Sequence, residues 1–215
     1  MLIKNASVIL KDEIIKANVL VQNGRISQIG DDLCDDEVLD LSGKYLTPGF
    51  VDIHNHGGYG YDYMDNTVEA FETILRFHSD NGITSAVAST VTAPQETIEK
   101  TIAVAREVVA KKGDHAKLLG VHLEGPYLSF QNKGAHAPAY LKVPAEDDYG
   151  YILDNADVIR QITISPELEG SVELTKKLVE KGVVVSMGHD NAILPELLPV
   201  VQAGPKFSGY NKVCL

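Results

Sequence analysis

The chain has 215 residues, of which 44% are hydrophobic and 23% are charged, and its formal net charge is −11 at pH 7. These values are typical of a soluble globular protein with one large domain, or one domain and a small appendage. The acidic balance argues against a non-specific nucleic-acid surface. Two cysteines make no disulfide framework, and we find no signal peptide or membrane span. We therefore expect a cytoplasmic protein that binds neither nucleic acid nor membrane.

Residues 1–48 consist of short β-branched runs separated by turn residues. The dipeptide Asn23-Gly24 lies between VLVQ and RISQI. It favours a two-residue hairpin with a type I′ turn, because both central positions of that turn need positive φ. We predict a small antiparallel sheet over residues 1–48 as a first domain, with Pro48-Gly49 at its boundary.

From residue 49 to about residue 203, strand patterns alternate with helix patterns. The predicted strands are FVDIH, ITSAVAST, KLLGVHLEG, VIRQITIS and VVVSMGH. One predicted helix covers residues 68–81, and a second begins at a capping box formed by Thr92 and Gln95. A third covers VELTKKLVEKG, and a fourth starts in AILPELL with a kink or break at Pro199. Residues 126–156 are predicted to be a long insertion.

Strands that are apolar on both faces and alternate with helices indicate an α/β fold with a parallel sheet. Because no nucleotide-binding glycine loop follows the first strand, part of a (β/α)8 barrel is favoured over an open nucleotide-binding sheet. In such barrels the chemistry lies at the carboxyl ends of the strands.

Polar residues stand at three of these strand ends. His54 and His56 are two residues apart on one strand, so their side chains share a face. Glu124 ends another strand, and a buried carboxylate there needs a partner. His189 ends the fifth predicted strand. Imidazoles and a carboxylate that converge on one point suit zinc or ferrous iron, so we predict a divalent metal site.

The remaining histidines are assigned by their positions. His122 shares the face of Glu124 and is interpreted as a supporting or core residue. His78 on a helix and His115 in a connection are interpreted as structural. His136 differs, since it lies in NKGAHAP, a loop bounded by glycine and proline that leaves the Glu124 strand.

Four segments together carry a family resemblance. LTPGFVDIHNHG, GVHLEGPYLSFQNKGAHAP, ITISPE and VVVSMGHDNA follow one another in order. This series resembles the N-acetylglucosamine-6-phosphate deacetylases of the amidohydrolase superfamily, and LEGP followed by KGAH is its most specific part. The resemblance covers residues 1 to about 203. It implies that the N-terminal strands form part of a small β-sandwich beside the barrel.

The resemblance implies roles for individual residues. Glu124 and His189 match two metal ligands, and the pair His54 and His56 matches the residues that bind a further metal in some members, so one or two ions are implied. Ala135 and His136 match a substrate-contacting pair, with His136 near the acetamido carbonyl to polarise it. The implied reaction is hydrolysis of N-acetylglucosamine 6-phosphate to glucosamine 6-phosphate and acetate, by an enzyme that is a homodimer in the family.

The resemblance also implies parts that we do not find in this sequence. The acid–base aspartate and the last three strands are expected after residue 215. The third histidine ligand is expected after a sixth strand, but no histidine follows His189, and residues 204–215 depart from the family pattern. A (β/α)8 barrel typically needs about 250 residues, so we expect a truncated chain with about five of eight strands. Unclosed edges would leave backbone groups unpaired. We expect weak metal binding and little or no turnover.

Two alternatives remain open at this point. One is a different amidohydrolase, acting on a cyclic amide or another N-acetyl sugar. The other is a non-catalytic metal-binding module, because the proton-transfer aspartate is missing.

Overall fold

The computed structural model describes residues 1–146 and 148–204, together with the backbone of residues 207–208. The chain divides into two compact units, Met1–Gly49 and Phe50–Leu215. The expected departure of residues 204–215 from the family pattern falls, apart from Gly204 and that short backbone stretch, outside the described residues.

The first unit is a five-stranded sheet. Its strands are β1 (Leu2–Ile9), β2 (Ile14–Gln22), β3 (Arg25–Gly30), β4 (Val38–Asp40) and β5 (Tyr45–Leu46). The hairpin between β2 and β3 is confirmed, with φ of 52° at Asn23 and 71° at Gly24. The prediction of a purely antiparallel sheet was wrong, because β4 and β5 pair with β1 in parallel. The connection from β3 to β4 crosses over β2 and β1. Because of this crossover, β4 runs in the same direction as β1.

The second unit contains the predicted partial barrel. Its strands are β6 (Phe50–Asn55), β7 (Gly57–Gly58), β8 (Tyr61–Asp62), β9 (Ile83–Ser89), β10 (Lys117–Glu124), β11 (Ile159–Ile164), β12 (Val184–Met187) and β13 (Phe207–Ser208). Six of them form a parallel sheet in the order β6-β9-β10-β11-β12-β13. The five predicted strands of a barrel are thus confirmed, and the two-residue β13 extends them.

The described part of the second unit contains five α-helices. They are α1 (Val68–Asp80), α2 (Gln95–Ala110), α3 (Gly150–Asp154), α4 (Ser171–Glu180) and α5 (Leu194–Gln202). Helix α1 is confirmed, and the Thr67 hydroxyl accepts the Ala70 N–H at its start. The capping box at Thr92 was wrong, since α2 begins after Pro94 without a side-chain cap. The break at Pro199 was also wrong, because α5 continues through it to Gln202.

The core of this unit lies between the parallel sheet and its helices, where apolar side chains from both layers are fully buried. They include Phe71, Ile74, Ile102, Leu123, Ile162 and Leu174. At the β6 edge, by contrast, Phe50, Val51 and Ile53 are 64%, 59% and 43% exposed. This edge therefore leaves apolar side chains in water, as expected for an unclosed sheet.

A small hairpin between β7 and β8 was not predicted from the sequence. A Cβ on Gly57 would lie 2.1 Å from the Tyr61 carbonyl oxygen, and one on Gly58 would lie 2.4 Å from the Phe77 ring. The two glycines are therefore needed for close packing immediately after His56. Among the described residues, none of the helices is long and apolar enough to cross a membrane.

Candidate metal centre

The carboxyl ends of β6, β10 and β12 bring four of the predicted site residues together. His54 lies in β6 and His56 follows it, Glu124 is the last residue of β10, and His189 comes two residues after β12. Parallel strands end at the same edge of their sheet, so these side chains meet there. Two groups of potential ligand atoms result, each within 4.8 Å, and Glu124 belongs to both. They are His54, His56 and Glu124, and Glu124, His136 and His189.

Glu124 stands at the centre of these contacts and is only 5% exposed. Its Oε2 lies 3.3 Å from His54 Nε2 and 3.2 Å from His56 Nε2. Its Oε1 lies 3.1 Å from His189 Nε2. The two carboxylate oxygens thus face different imidazoles, so one carboxylate can serve ions on either side of it.

The charges in this cluster are strongly coupled. Burial raises the pKa of Glu124, but hydrogen bonds from His136, His189, His54 and His56 outweigh it and hold that pKa far below its usual range. The hydrogen bond to Glu124 is in turn the largest cause that raises the pKa of His56 and of His189. Metal binding needs neutral imidazoles, so protons compete with a metal for these two residues more strongly than for free histidine.

The hydrogen bond at Nδ1 determines which ring nitrogen of His189 can bind a metal. His189 Nδ1 lies 3.0 Å from the Asn132 carbonyl oxygen. A carbonyl oxygen only accepts, so Nδ1 carries a hydrogen. In the neutral ring Nε2 therefore keeps its lone pair, whereas the protonated ring donates from Nε2 to Glu124 Oε1. His189 also adopts a positive φ of 52°, which costs a residue other than glycine about 1–3 kcal/mol.

His136 has the opposite arrangement. Its Nδ1 lies 3.2 Å from the backbone nitrogen of Thr92, whose N–H only donates. Nδ1 is therefore the acceptor, and in the neutral ring Nε2 carries the hydrogen. His136 Nε2 lies 3.6 Å from Glu124 Oε2, and the ring is 4% exposed. Although His136 lies within ligand distance, its neutral ring presents a hydrogen-bond donor. The neighbouring Ala135 is exposed.

His122 supports the site from inside the sheet. It is fully buried, with Nδ1 2.9 Å from Ser89 Oγ and Nε2 2.8 Å from Thr163 Oγ1. Its ring packs edge-on against His54 at a centroid distance of 4.8 Å. Burial, with a smaller effect of His54, lowers the pKa of His122 to about 3. His122 therefore stays neutral and holds two hydroxyl groups behind His54.

The buried position of His122 predicts a loss of stability in acid. The unfolded chain takes up a proton on this residue below its ordinary pKa of about 6.5, whereas the folded chain does so only near the lowered pKa of about 3. Stability linked to His122 is therefore complete above pH 6.5 and is lost as the pH falls from there towards 3. At pH 5 the loss is about 2 kcal/mol.

Urea unfolding of the metal-free chain at pH 7 and pH 5 measures this effect. The variant His122→Gln keeps a polar side chain but has no proton to gain, so its stability should fall by about 2 kcal/mol less between the two pH values. Equal losses in both chains would show that His122 does not contribute.

Several partners of the site residues were not predicted. Thr92 and Asn132 act through backbone atoms, 44 and 57 residues away from the rings that they contact. A backbone amide or carbonyl is present at every position, so residue type contains no signal for this role. His78 is buried with its Nε2 3.9 Å from Asp52 Oδ2, and His115 contacts the Ala116 carbonyl. Neither belongs to the cluster.

The donors in this site fit a divalent metal ion. His56 and His189 stand beside an ionised carboxylate, the neutral ring of His189 offers an Nε2 lone pair, and His54 lies on the same side as His56. Imidazole nitrogen and carboxylate oxygen are ligands of zinc and of ferrous iron. The identity of the metal does not follow from this donor set.

The parallel partial barrel carries a cluster of histidines and one carboxylate at its strand ends that could hold a metal ion. The chain belongs to the amidohydrolase family, which it matches over residues 45–202.

Several of its relatives are N-acetylglucosamine-6-phosphate deacetylases. The chain is 36% identical to the N-acetylglucosamine-6-phosphate deacetylase of Haemophilus influenzae, over 73% of this chain and 40% of the relative. It is 32% identical to that of Lysinibacillus sphaericus, over 95% of this chain and 54% of the relative. The chain thus spans about half the length of the curated relatives that it matches.

Solved structures show the same likeness. The N-acetylglucosamine-6-phosphate deacetylase of Pasteurella multocida matches 96% of this chain and 55% of its own, with 30% identity and a TM-score of 0.89. A mutant deacetylase from Mycobacterium smegmatis, in complex with N-acetyl-D-glucosamine-6-phosphate, matches with 31% identity and a TM-score of 0.83. A D-hydantoinase from a Bacillus species, at 17% identity and a TM-score of 0.59, shares the fold alone.

Proposed function

We propose that this chain provides the metal and acetyl-binding half of an enzyme that hydrolyses N-acetylglucosamine 6-phosphate to glucosamine 6-phosphate and acetate. The observation that carries the proposal is the opposite hydrogen bonding of two neighbouring histidines. The neutral ring of His189 has a lone pair beside Glu124, whereas the neutral ring of His136 has a donor there. A metal-dependent amide hydrolase uses both metal ligands and a group that stabilises the oxyanion formed from the carbonyl oxygen.

His54, His56, Glu124 and His189 would hold the divalent ion, zinc or iron, with one or two ions bound. A bound ion of this kind lowers the pKa of water from about 15.7 to roughly 7 and polarises a carbonyl. The buried carboxylate of Glu124 supplies the negative charge that attracts the ion. The Asn132 carbonyl keeps His189 in the tautomer that can bind it.

His136 would act on the substrate. Its Nε2–H can donate to the acetamido oxygen, where negative charge develops as water adds to the carbonyl carbon. The carbon–nitrogen bond then breaks, so that acetate leaves and the amine receives a proton. Ala135, exposed beside His136, would contact the sugar.

Proton transfer to the leaving amine needs a further group. The cluster in the described part of the chain has one carboxylate, Glu124, and four imidazoles engage it. Glu124 is therefore a poor base, because its pKa is held low. We propose that a carboxylate from outside the described cluster transfers this proton. Turnover by the 215-residue chain alone should therefore stay well below the usual enzyme range of about 1–10³ per second.

Substrate binding can be tested apart from turnover. The chain loaded with paramagnetic Co²⁺ should relax the acetyl methyl protons of N-acetylglucosamine 6-phosphate more than the ring protons in NMR spectra. Glucosamine 6-phosphate, which lacks the acetyl group, serves as the matched ligand control. No selective relaxation of the methyl group would contradict the proposal, and stronger relaxation of a cyclic amide would favour a different amidohydrolase. Co²⁺ binding without any effect on these ligands would favour a non-catalytic metal-binding module.

A further inference from the structure

The backbone around His189 is held in an unusual conformation. Gly188 and His189 leave β12, and His189 has the positive φ of 52°. L-residues rarely adopt this region, so neighbouring groups must stabilise it. One side chain that donates hydrogen bonds to the backbone of both residues is Ser165, which follows β11 in the motif ISPE and is fully buried.

The hydroxyl of Ser165 joins two segments of the site. Its Oγ accepts the Ser129 backbone N–H at 2.7 Å. Its hydrogen is shared between the carbonyl oxygens of His189, at 2.9 Å, and Gly188, at 3.2 Å. The Ser129 N–H also lies 3.1 Å from the His189 carbonyl oxygen. The carbonyl of His189 therefore has two donors, the Ser165 hydroxyl and the Ser129 N–H, and that N–H is shared with Ser165 Oγ.

Ser165 itself is held from both sides. Its backbone N–H donates to the Tyr127 carbonyl at 2.8 Å, and its own carbonyl accepts the Ser171 hydroxyl at 2.8 Å. These two hydrogen bonds fix Ser165 at the end of β11, and its hydroxyl contacts the backbone at the end of β12.

From this geometry we propose that Ser165 is a positioning residue for His189, and that it orients the imidazole towards Glu124 by holding the peptide group after His189. The inference rests on the proposed metal centre. If the hydroxyl is removed, the His189 carbonyl loses one donor and the backbone can relax from its positive φ. The imidazole then leaves the position in which Nδ1 contacts the Asn132 carbonyl and Nε2 faces Glu124.

A competition titration of Zn²⁺ against the metal-free, full 215-residue chain tests this proposal. Partners of this kind, one step removed from the metal, typically contribute a factor of about 10–100 in affinity, so Ser165→Ala should bind Zn²⁺ about 10–100-fold more weakly. In metal-free Ser165→Ala, ¹⁵N NMR should show a smaller population of the Nδ1–H tautomer of His189. A purely structural role would not change that tautomer.

Thr175→Val is the matched control, because it removes a fully buried hydroxyl that has no hydrogen-bond partner among the described residues. It should keep both the Zn²⁺ affinity and the tautomer. If Ser165→Ala does not fold, Ser165→Cys fills the same space with a weaker donor and should show the same loss of affinity. Equal affinity in the Ser165 and Thr175 variants would overturn the inference and leave the metal centre standing. Absence of Zn²⁺ binding by the unchanged chain would overturn both.

Discussion

Replacing Glu124 by alanine should abolish metal binding to this chain. Glu124 is the one residue shared by both groups of potential ligands, and its two oxygens face different imidazoles. Loss of a partner one step removed from a metal already weakens binding by about 10–100-fold, so loss of this ligand should weaken it by more than about 100-fold. Zn²⁺ titration of the metal-free variant measures the effect.

The variant Glu124→Gln separates charge from shape at this position. It fills nearly the same volume but has no negative charge, so it should lose metal affinity as well. In the metal-free state, the pKa of His56 and of His189 should fall, because the hydrogen bond to Glu124 is the largest cause that raises them. NMR titration of the two imidazoles reports this change. Zn²⁺ affinity equal to that of the unchanged chain would show that Glu124 is not a ligand.

Two neighbouring histidines should respond differently to the same substitution. His189 and His136 pack edge-on at a centroid distance of 4.8 Å, and both contact Glu124. The Zn²⁺ affinity of His189→Ala should be lower by more than about 100-fold, because the substitution removes an Nε2 lone pair that faces the site. His136→Ala should keep its Zn²⁺, because the neutral ring carries a hydrogen on Nε2.

The two variants control for each other, since each removes one imidazole from the same cluster. Metal content after dialysis, measured with the Zn²⁺ affinity, distinguishes them. Any acetate release by the unchanged chain should fall by about 10²–10³-fold in His136→Ala, the usual effect of removing a donor to a developing oxyanion. A loss of Zn²⁺ from His136→Ala equal to that from His189→Ala would refute the tautomer assignment.

Local sequence signals were sufficient to predict those elements that depend on interactions between residues close together in the chain. Asn23-Gly24 predicted its hairpin because few dipeptides tolerate positive φ at both positions. The alternation of apolar strands with helices predicted the partial barrel, because the hydrophobic period and the length of each segment are local properties of the sequence. Thr92 shows the limit. Its local pattern favours a helix cap, but its backbone instead contacts His136, 44 residues away.

The candidate site likewise has features that the sequence determined and features that depend on the tertiary structure. The sequence alone determined which residue types stand at the strand ends, and a parallel sheet necessarily brings those ends to one edge. The grouping of His54, His56, Glu124 and His189 therefore follows from the order of residues along the chain. Only the tertiary structure decided which ring nitrogen each histidine presents, because Asn132 and Thr92 reach the rings through backbone atoms of separate loops. The tertiary structure likewise revealed Ser165, whose contacts join β11, the loop after β10 and the end of β12. Residue type does not encode such contacts, since they arise only when distant segments pack against one another.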